Sequence, residues 1–144
     1  MLKRDRSIVR WLPAALAVSL LVILLPGSSS AGSYWFERYQ RAVDLIDDGS
    51  AQEAELILQQ LIIERPAPEV GVRVPGSQYV DYLPYYQQAR AQLERGDVEG
   101  AADSLRISIA FGAIKETRRH RAGLARLEQD IRDGETSTVL SSLR

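Results

Sequence analysis

FERYQRAVDLIDDGSAQEAELILQQLIIERP, residues 36–66, and LPYYQQARAQLERGDVEGAADSLRISIAFGA, residues 83–113, decide the fold: they are one pattern written twice, 47 residues apart. In the first copy Phe36, Tyr39, Val43 and Ile46 recur at three- and four-residue steps, the spacing of an apolar stripe on a helix. Asp47-Asp48-Gly49-Ser50 breaks the period. Glycine takes the left-handed turn that ends a helix, and Ser50 is placed to cap the next. Ala54, Leu58, Leu61 and Ile62 resume helical spacing up to Pro66. Helices joined by so short a turn lie antiparallel. In the second copy Tyr82, Tyr85, Tyr86, Ala89 and Leu93 form the first stripe, Arg95-Gly96-Asp97 the turn, and Ala101, Leu105 and Ile109 the second stripe. Ala42 precedes Ala54 by twelve residues, and Ala89 precedes Ala101 by twelve. A small residue on each arm at that separation lets two antiparallel helices approach closely where they cross. A unit returning at a fixed offset is the mark of a repeat array.

These units resemble tetratricopeptide repeats: a small residue in the first helix, a glycine turn at Gly49 or Gly96, and an alanine in the second helix twelve residues on. Pro66 stands where that family ends its second helix; the second unit has Ala113 there. The family's first-helix aromatic is matched by Tyr85, but the equivalent place in the first unit is Arg38, and the usual first-helix glycine is alanine in both. The resemblance covers residues 36–113. It implies an all-α domain of about two repeats that binds a protein or peptide on its concave face, without catalysis. It also implies that Phe36, Tyr39, Val43, Ile46 and Asp47 from unit one, and Leu83, Tyr86, Arg90, Leu93 and Glu94 from unit two, line that face. Tyr39, Val43, Asp47, Tyr86, Arg90 and Glu94 are the partner-binding candidates; Ala42, Ala54, Ala89 and Ala101 are the packing positions.

The family's common offset is 34 residues, and the excess here is the insert PAPEVGVRVPGSQYV, residues 66–80. Its prolines, glycines and alternating Val70, Val72 and Val74 exclude a helix. It is either a linker over the seam between units or a loop reaching over the groove. Ile114, Leu124, Leu127 and Ile131 give residues 113–133 the apolar side of a fifth helix, a cap for the array. Gly134 is expected to end it, and residues 134–144, rich in Ser and Thr, to form a flexible tail.

Upstream of the repeats, Lys3, Arg4, Arg6 and Arg10 precede fourteen uncharged residues, 12–25, then Pro26-Gly27 and the small residues Ser29 and Ala31. That order is a secretory signal peptide cut before Gly32. Its apolar run spans about 21 Å as a helix, short of a bilayer core of about 30 Å. The expectation is an exported, periplasmic or secreted protein; the alternatives are a subunit of an envelope complex anchored in the inner membrane by uncleaved residues 12–25, or the N-terminal fragment of a longer multidomain protein.

Composition excludes several chemistries. With no cysteine there is no disulfide framework, thiolate zinc site or thiol nucleophile, and His120 is the lone histidine, which leaves no histidine pair for a metal. No phosphate loop, dinucleotide fingerprint or serine elbow is present. No cofactor and no metal are expected. Formal charge is −1, but it is uneven: residues 32–105 carry a net −7 and residues 106–126 a net +5. Lys115, Arg118, Arg119, Arg121 and Arg126 make that positive block. The favoured expectation is that it pairs with the acidic body; the alternative is that it docks an acidic partner or anionic headgroups. The block lacks interleaved aromatics, so nucleic acid is not expected.

Overall fold

The computed structural model describes residues 34–143. The proposed targeting segment and the cut before Gly32 lie outside them. Six helices and one β-hairpin follow in the order α1 (Trp35–Asp47), α2 (Ala51–Glu64), β1 (Glu69–Val74), β2 (Gln78–Tyr82), α3 (Pro84–Glu94), α4 (Val98–Phe111), α5 (Ala113–Glu116) and α6 (Arg118–Ser142). The architecture is helical and repeat-like, α1 packing on α2, α3 on α4, and α2 on α3.

Both interhelical turns close in the same way. Ser50 N–H donates to Leu45 O and Gly49 N–H to Ile46 O; 47 residues on, Asp97 N–H donates to Gln92 O and Gly96 N–H to Leu93 O. This paired closure needs a left-handed residue, and Gly49 and Gly96 supply it at φ +82° and +80°. The next helices start differently. Asp97 accepts from Gly100 N–H at 2.9 Å, whereas Ser50 occupies the capping position without a side-chain bond. A Cβ on Gly100 would meet Asp97 Oδ2 at 2.3 Å, so the cap uses the space that glycine leaves.

Ala42, Ala54, Ala89 and Ala101 are fully buried, each inside the core of its own hairpin. Between the hairpins runs a polar seam. Glu55 of α2, itself buried, pairs with Arg95 and accepts from Gln92 Nε2 at 3.4 Å; Gln92 in turn accepts from Ser104 Oγ at 2.7 Å.

Three expectations are corrected. The insert is an antiparallel β-hairpin rather than a linker or loop, so the domain is not purely α. Its second strand takes residues up to Tyr82, which therefore belongs to β2 and not to the stripe of α3. Pro84 opens α3 at its first turn, where a missing N–H costs nothing, and extended backbone is favoured just before a proline. Second, the capping helix is broken at Thr117 into α5 and α6, and α6 runs through Gly134 to Ser142 with no tail before that point. Gly134 is a close-approach position: a Cβ there would lie 2.9 Å from Val98 Cγ2 of α4. Third, Leu83 is buried at 1% exposure as the residue before α3, not open to a groove.

The β-hairpin joins the two hydrophobic cores. Tyr82 is fully buried among the first hairpin's core residues, ring to ring with Trp35 and Tyr39 at 5.1 Å each. Its hydroxyl lies 3.1 Å from Leu61 O and 2.9 Å from Arg65 O, a donor for the carbonyls that end α2. Val70 of β1 packs against the second core.

Candidate functional site

A groove of about 490 Å³ opens on the face formed by α1 and α3. Tyr39, Val43 and Asp47 of α1 form one side, Tyr86 and Arg90 of α3 the floor. Tyr79, Val80 and Asp81 of β2 and Arg119 and His120 of α6 complete it. Hollows continue it at both ends. One of about 340 Å³ shares Gln40 and Val80 with it and runs along α1 to Phe36; one of about 460 Å³ shares Tyr86 and Arg90 and runs along α6 to Arg126 and Asp130. The three make one trough across both repeats.

The walls of the trough are bonded to each other. Arg90 donates to Asp47 at 2.6 Å and to Gln87 at 2.8 Å, which ties α3 to α1. Leu83 N–H donates to Tyr39 Oη at 3.0 Å. On the opposite side a bulge sets the geometry. Pairing jumps from Glu69–Tyr82 to Val72–Val80, so two residues of β1 oppose Asp81 alone. Gly71 sits there at φ +65°, and its N–H donates to Asp81 Oδ1 at 2.9 Å. The other carboxylate oxygen is 3.1 Å from His120 Nε2. Asp81 thus clasps the β-hairpin to α6 across the trough, and the His120 ring lies edge-on to Tyr86 at 6.0 Å.

Of the candidates read from the sequence, Tyr39, Val43, Asp47, Tyr86 and Arg90 meet in this groove; Glu94 does not. It lines a separate hollow of about 580 Å³ at the turn end, with Gly49, Gln52 and Arg95. The two tyrosines are not the flat, open anchors expected of them. Tyr39 is 3% exposed and Tyr86 7%. Burial pushes the Tyr39 hydroxyl up to about 12, against the lowering effect of its bonds to Leu83 and Gln87. Burial also raises that of Tyr86, with Arg90 pulling the other way. The same i, i+3, i+4 spacing that faces the concave side also faces the seam, so spacing could not separate the two.

The open aromatic is Tyr79, 70% exposed on β2 and beside the groove. The sequence carried a signal for it: alternating valines, then Pro75-Gly76-Ser77, then QYVDY, two strands about a short turn.

The expected pairing of the basic block with the acidic body does not occur. Among the described residues, Lys115, Arg118, Arg119, Arg121 and Arg126 form no ion pair and no side-chain hydrogen bond, and all five are exposed. Five of the thirteen carboxylates of the acidic body are paired from within, by Arg38–Glu64, Arg41–Glu53, Arg65–Glu69, Arg90–Asp47 and Arg95–Glu55, and the body keeps its net −7. Also among the described residues, no group of three or more His, Asp or Glu could hold a metal ion, and no helix is long and apolar enough to cross a membrane. No family model, curated protein or solved structure matches this chain.

Proposed function

We propose that this chain is an exported, non-catalytic, tetratricopeptide-like adaptor that holds a protein or peptide segment in the trough across its concave face. The observation that carries this is the trough itself: it is continuous across both repeats, lined by the first helix of each, and braced by the Arg90–Asp47 and Asp81–His120 links. A groove that holds its shape before binding loses less entropy when filled. Two of the carboxylates that line it hold walls together, Asp47 with Arg90 and Asp81 with His120, a structural use of groups that a catalyst would present to substrate.

Affinity from so shallow a groove rests on few anchors. Tyr79 offers a large, exposed ring with few rotors to immobilise, and Arg90 an arginine at the floor. The test is capture of the partner from the protein's own cells, then calorimetry with Tyr79→Ala and Arg90→Ala. Each is expected to weaken binding by about 1–2 kcal/mol with the fold intact. Full affinity in both would end this reading. The export part is tested by the amino-terminal residue of the protein recovered from cells, expected to be Gly32; recovery of the uncut chain would assign residues 12–25 to an anchor.

A further inference from the structure

Antiparallel pairing brings the start of α1, the end of α2, the start of α3 and the end of α4 to one end of the domain. Arg65, just past α2, holds its guanidinium 4.4 Å from the centre of the Trp35 ring at the start of α1, and Tyr85 of α3 stacks on Phe111 of α4 at 5.4 Å. The bond from Leu83 N–H to Tyr39 Oη sets the first turns of α1 beside the start of α3. The contact of Tyr86 with His120 brings the start of α6 to the same place. Residues 1–33 join the described chain at this end too, through Tyr34, and they include the uncharged run 12–25.

Charge is divided between the two ends. About the turns at Gly49 and Gly96 stand Asp47, Asp48, Glu53, Glu94, Asp97 and Glu99. At the opposite end Glu64 is engaged by Arg38, Glu69 by Arg65 and Asp81 by His120, and Glu37 is engaged as well. What stays open there is cationic. Residues 113–127 hold five cations against one carboxylate, Glu116, and none of the five is paired. Glu128 and Asp130 follow Arg126, so the excess lies on α5 and the first turn of α6, at Lys115, Arg118, Arg119 and Arg121. Arg118, Arg121, Ala122 and Ala125, at steps of three and four, share one exposed stripe of α6. Nothing on that stripe is acidic, and alanine fills the space between and beyond the arginines, so a flat anionic surface can come close. α6 starts without a side-chain cap, and the positive end of its macrodipole adds to the same field. Tyr34, Ile63 and Phe111, all exposed, give this end apolar surface as well.

We propose that this end of the domain lies on an anionic bilayer, with Lys115, Arg118, Arg119 and Arg121 among the phospholipid headgroups and Phe111 at the edge of the apolar layer. Two features select a bilayer over an acidic protein or a nucleic acid. Unpaired cations stand beside exposed apolar side chains, the combination that suits a lipid interface. The segment read as an export signal also enters the domain here, and this second argument rests on that reading. The carboxylates of the turns are at the far end, so the division of charge that draws the domain to the surface also orients it. The inference goes beyond the adaptor role, and Arg118 and Arg121 do not line the trough.

The chain has no cysteine, so a single fluorophore can be placed at will. The full chain is labelled at Ala122→Cys on the stripe or at Gln52→Cys at the acidic end, both exposed positions. Vesicles carry a headgroup nitroxide, which quenches on contact. On phosphatidylglycerol vesicles the label at position 122 should be quenched and that at position 52 should not. Phosphatidylcholine vesicles should quench neither, and high salt should remove the quenching at 122. The readout is which face meets lipid, so a leader inserted in the bilayer does not by itself produce it. Arg118→Glu with Arg121→Glu should lose the quenching, and Arg118→Lys with Arg121→Lys should keep it. No quenching at 122, equal quenching at both labels or on both lipids, or quenching that survives the Glu pair overturns the proposal. Release from the vesicles by polyglutamate or single-stranded DNA at matched charge overturns it too, and reassigns the face to an acidic protein or a nucleic acid. The adaptor role is still decided separately by Tyr79→Ala and Arg90→Ala, and export by the amino-terminal residue.

Discussion

The body of the two hairpins and the outer helix α6 use the same residue, arginine, in opposite ways. Five of the six basic residues between 34 and 105 are held by a carboxylate, most of them on a neighbouring element. On α5 and α6 a block of five cations has none. Ion pairs near a surface add little stability each, so pairing is mainly a matter of geometry and of a quiet electrostatic field. What the contrast teaches is that the body's arginines are spent on its own carboxylates, which still outnumber them by seven, whereas the five cations of α5 and α6 are left open to whatever lies outside. Arg118 and Arg119 even stand in the first turn of α6, where the helix macrodipole disfavours cations.

The largest break in this contrast should come from the body, at the residue that locks it. Tyr82→Ala is expected to cost about 3–5 kcal/mol, through a cavity at the centre of the first core. Tyr82→Phe should cost about 1–2 kcal/mol, through the Arg65 carbonyl left without the hydroxyl donor, while the Leu61 carbonyl keeps the Arg65 N–H. Urea unfolding of the two variants measures both; similar loss in each would mean that the hydroxyl, not the packing, dominates.

Alkali should act on the same core. Tyr39, Tyr82 and Tyr86 are all raised by burial, Tyr39 from 10.0 to about 12. A raised folded-state value means that the fold prefers the neutral phenol. The stability from that preference is whole below about pH 10 and is lost as pH climbs through the folded value near 12. Denaturation midpoints should therefore fall between pH 10 and pH 12, and a flat profile there would contradict the burial of these hydroxyls.

Next in size is the seam. Arg95→Ala leaves Glu55 buried against Gln92 without its cation, at an expected cost of about 1–3 kcal/mol, reduced by the partial exposure of Arg95. Glu55→Gln, which removes the charge together with its need for a partner, should cost less. The smallest effect carries the opposite sign. Arg118→Glu with Arg119→Glu should raise stability by about 0.3–1 kcal/mol per site, because the exchange suits the macrodipole. A marked loss of stability would mean that these arginines serve the fold after all.

How much of this was legible beforehand depends on what each residue answers to. The two hairpins were readable because a stripe, a glycine and a proline are local signals, and Gly49 and Gly96 obey them. Tyr82 was misplaced because its spacing to Tyr85 and Tyr86 suits a helix, while Pro84 and the pairing with Glu69 decide for a strand. Gly134 reads as a stop because glycine often is one; its actual constraint is Val98 of another helix. The clasp from Asp81 to His120 joins residues 39 apart in the chain and depends on the bulge at Gly71, which no spacing rule could show. The charge counts of the segments were right, but a count does not say which groups meet.

Gly123 bears on when the site comes into being. A Cβ there would lie 2.5 Å from the Tyr86 hydroxyl, so the residue is the slot that lets α6 seat against α3. With Gly134 it also lowers the intrinsic helicity of α6, each by about 1 kcal/mol relative to alanine. A helix so composed borrows its order from the surface it docks on, and it follows both hairpins in the chain. During synthesis from the amino terminus the hairpins can close first, with β2 and the floor in place and the facing wall still unformed. The trough is thus a late product of folding, and a nascent chain stalled before residue 118 would display its floor without the wall that α6 supplies.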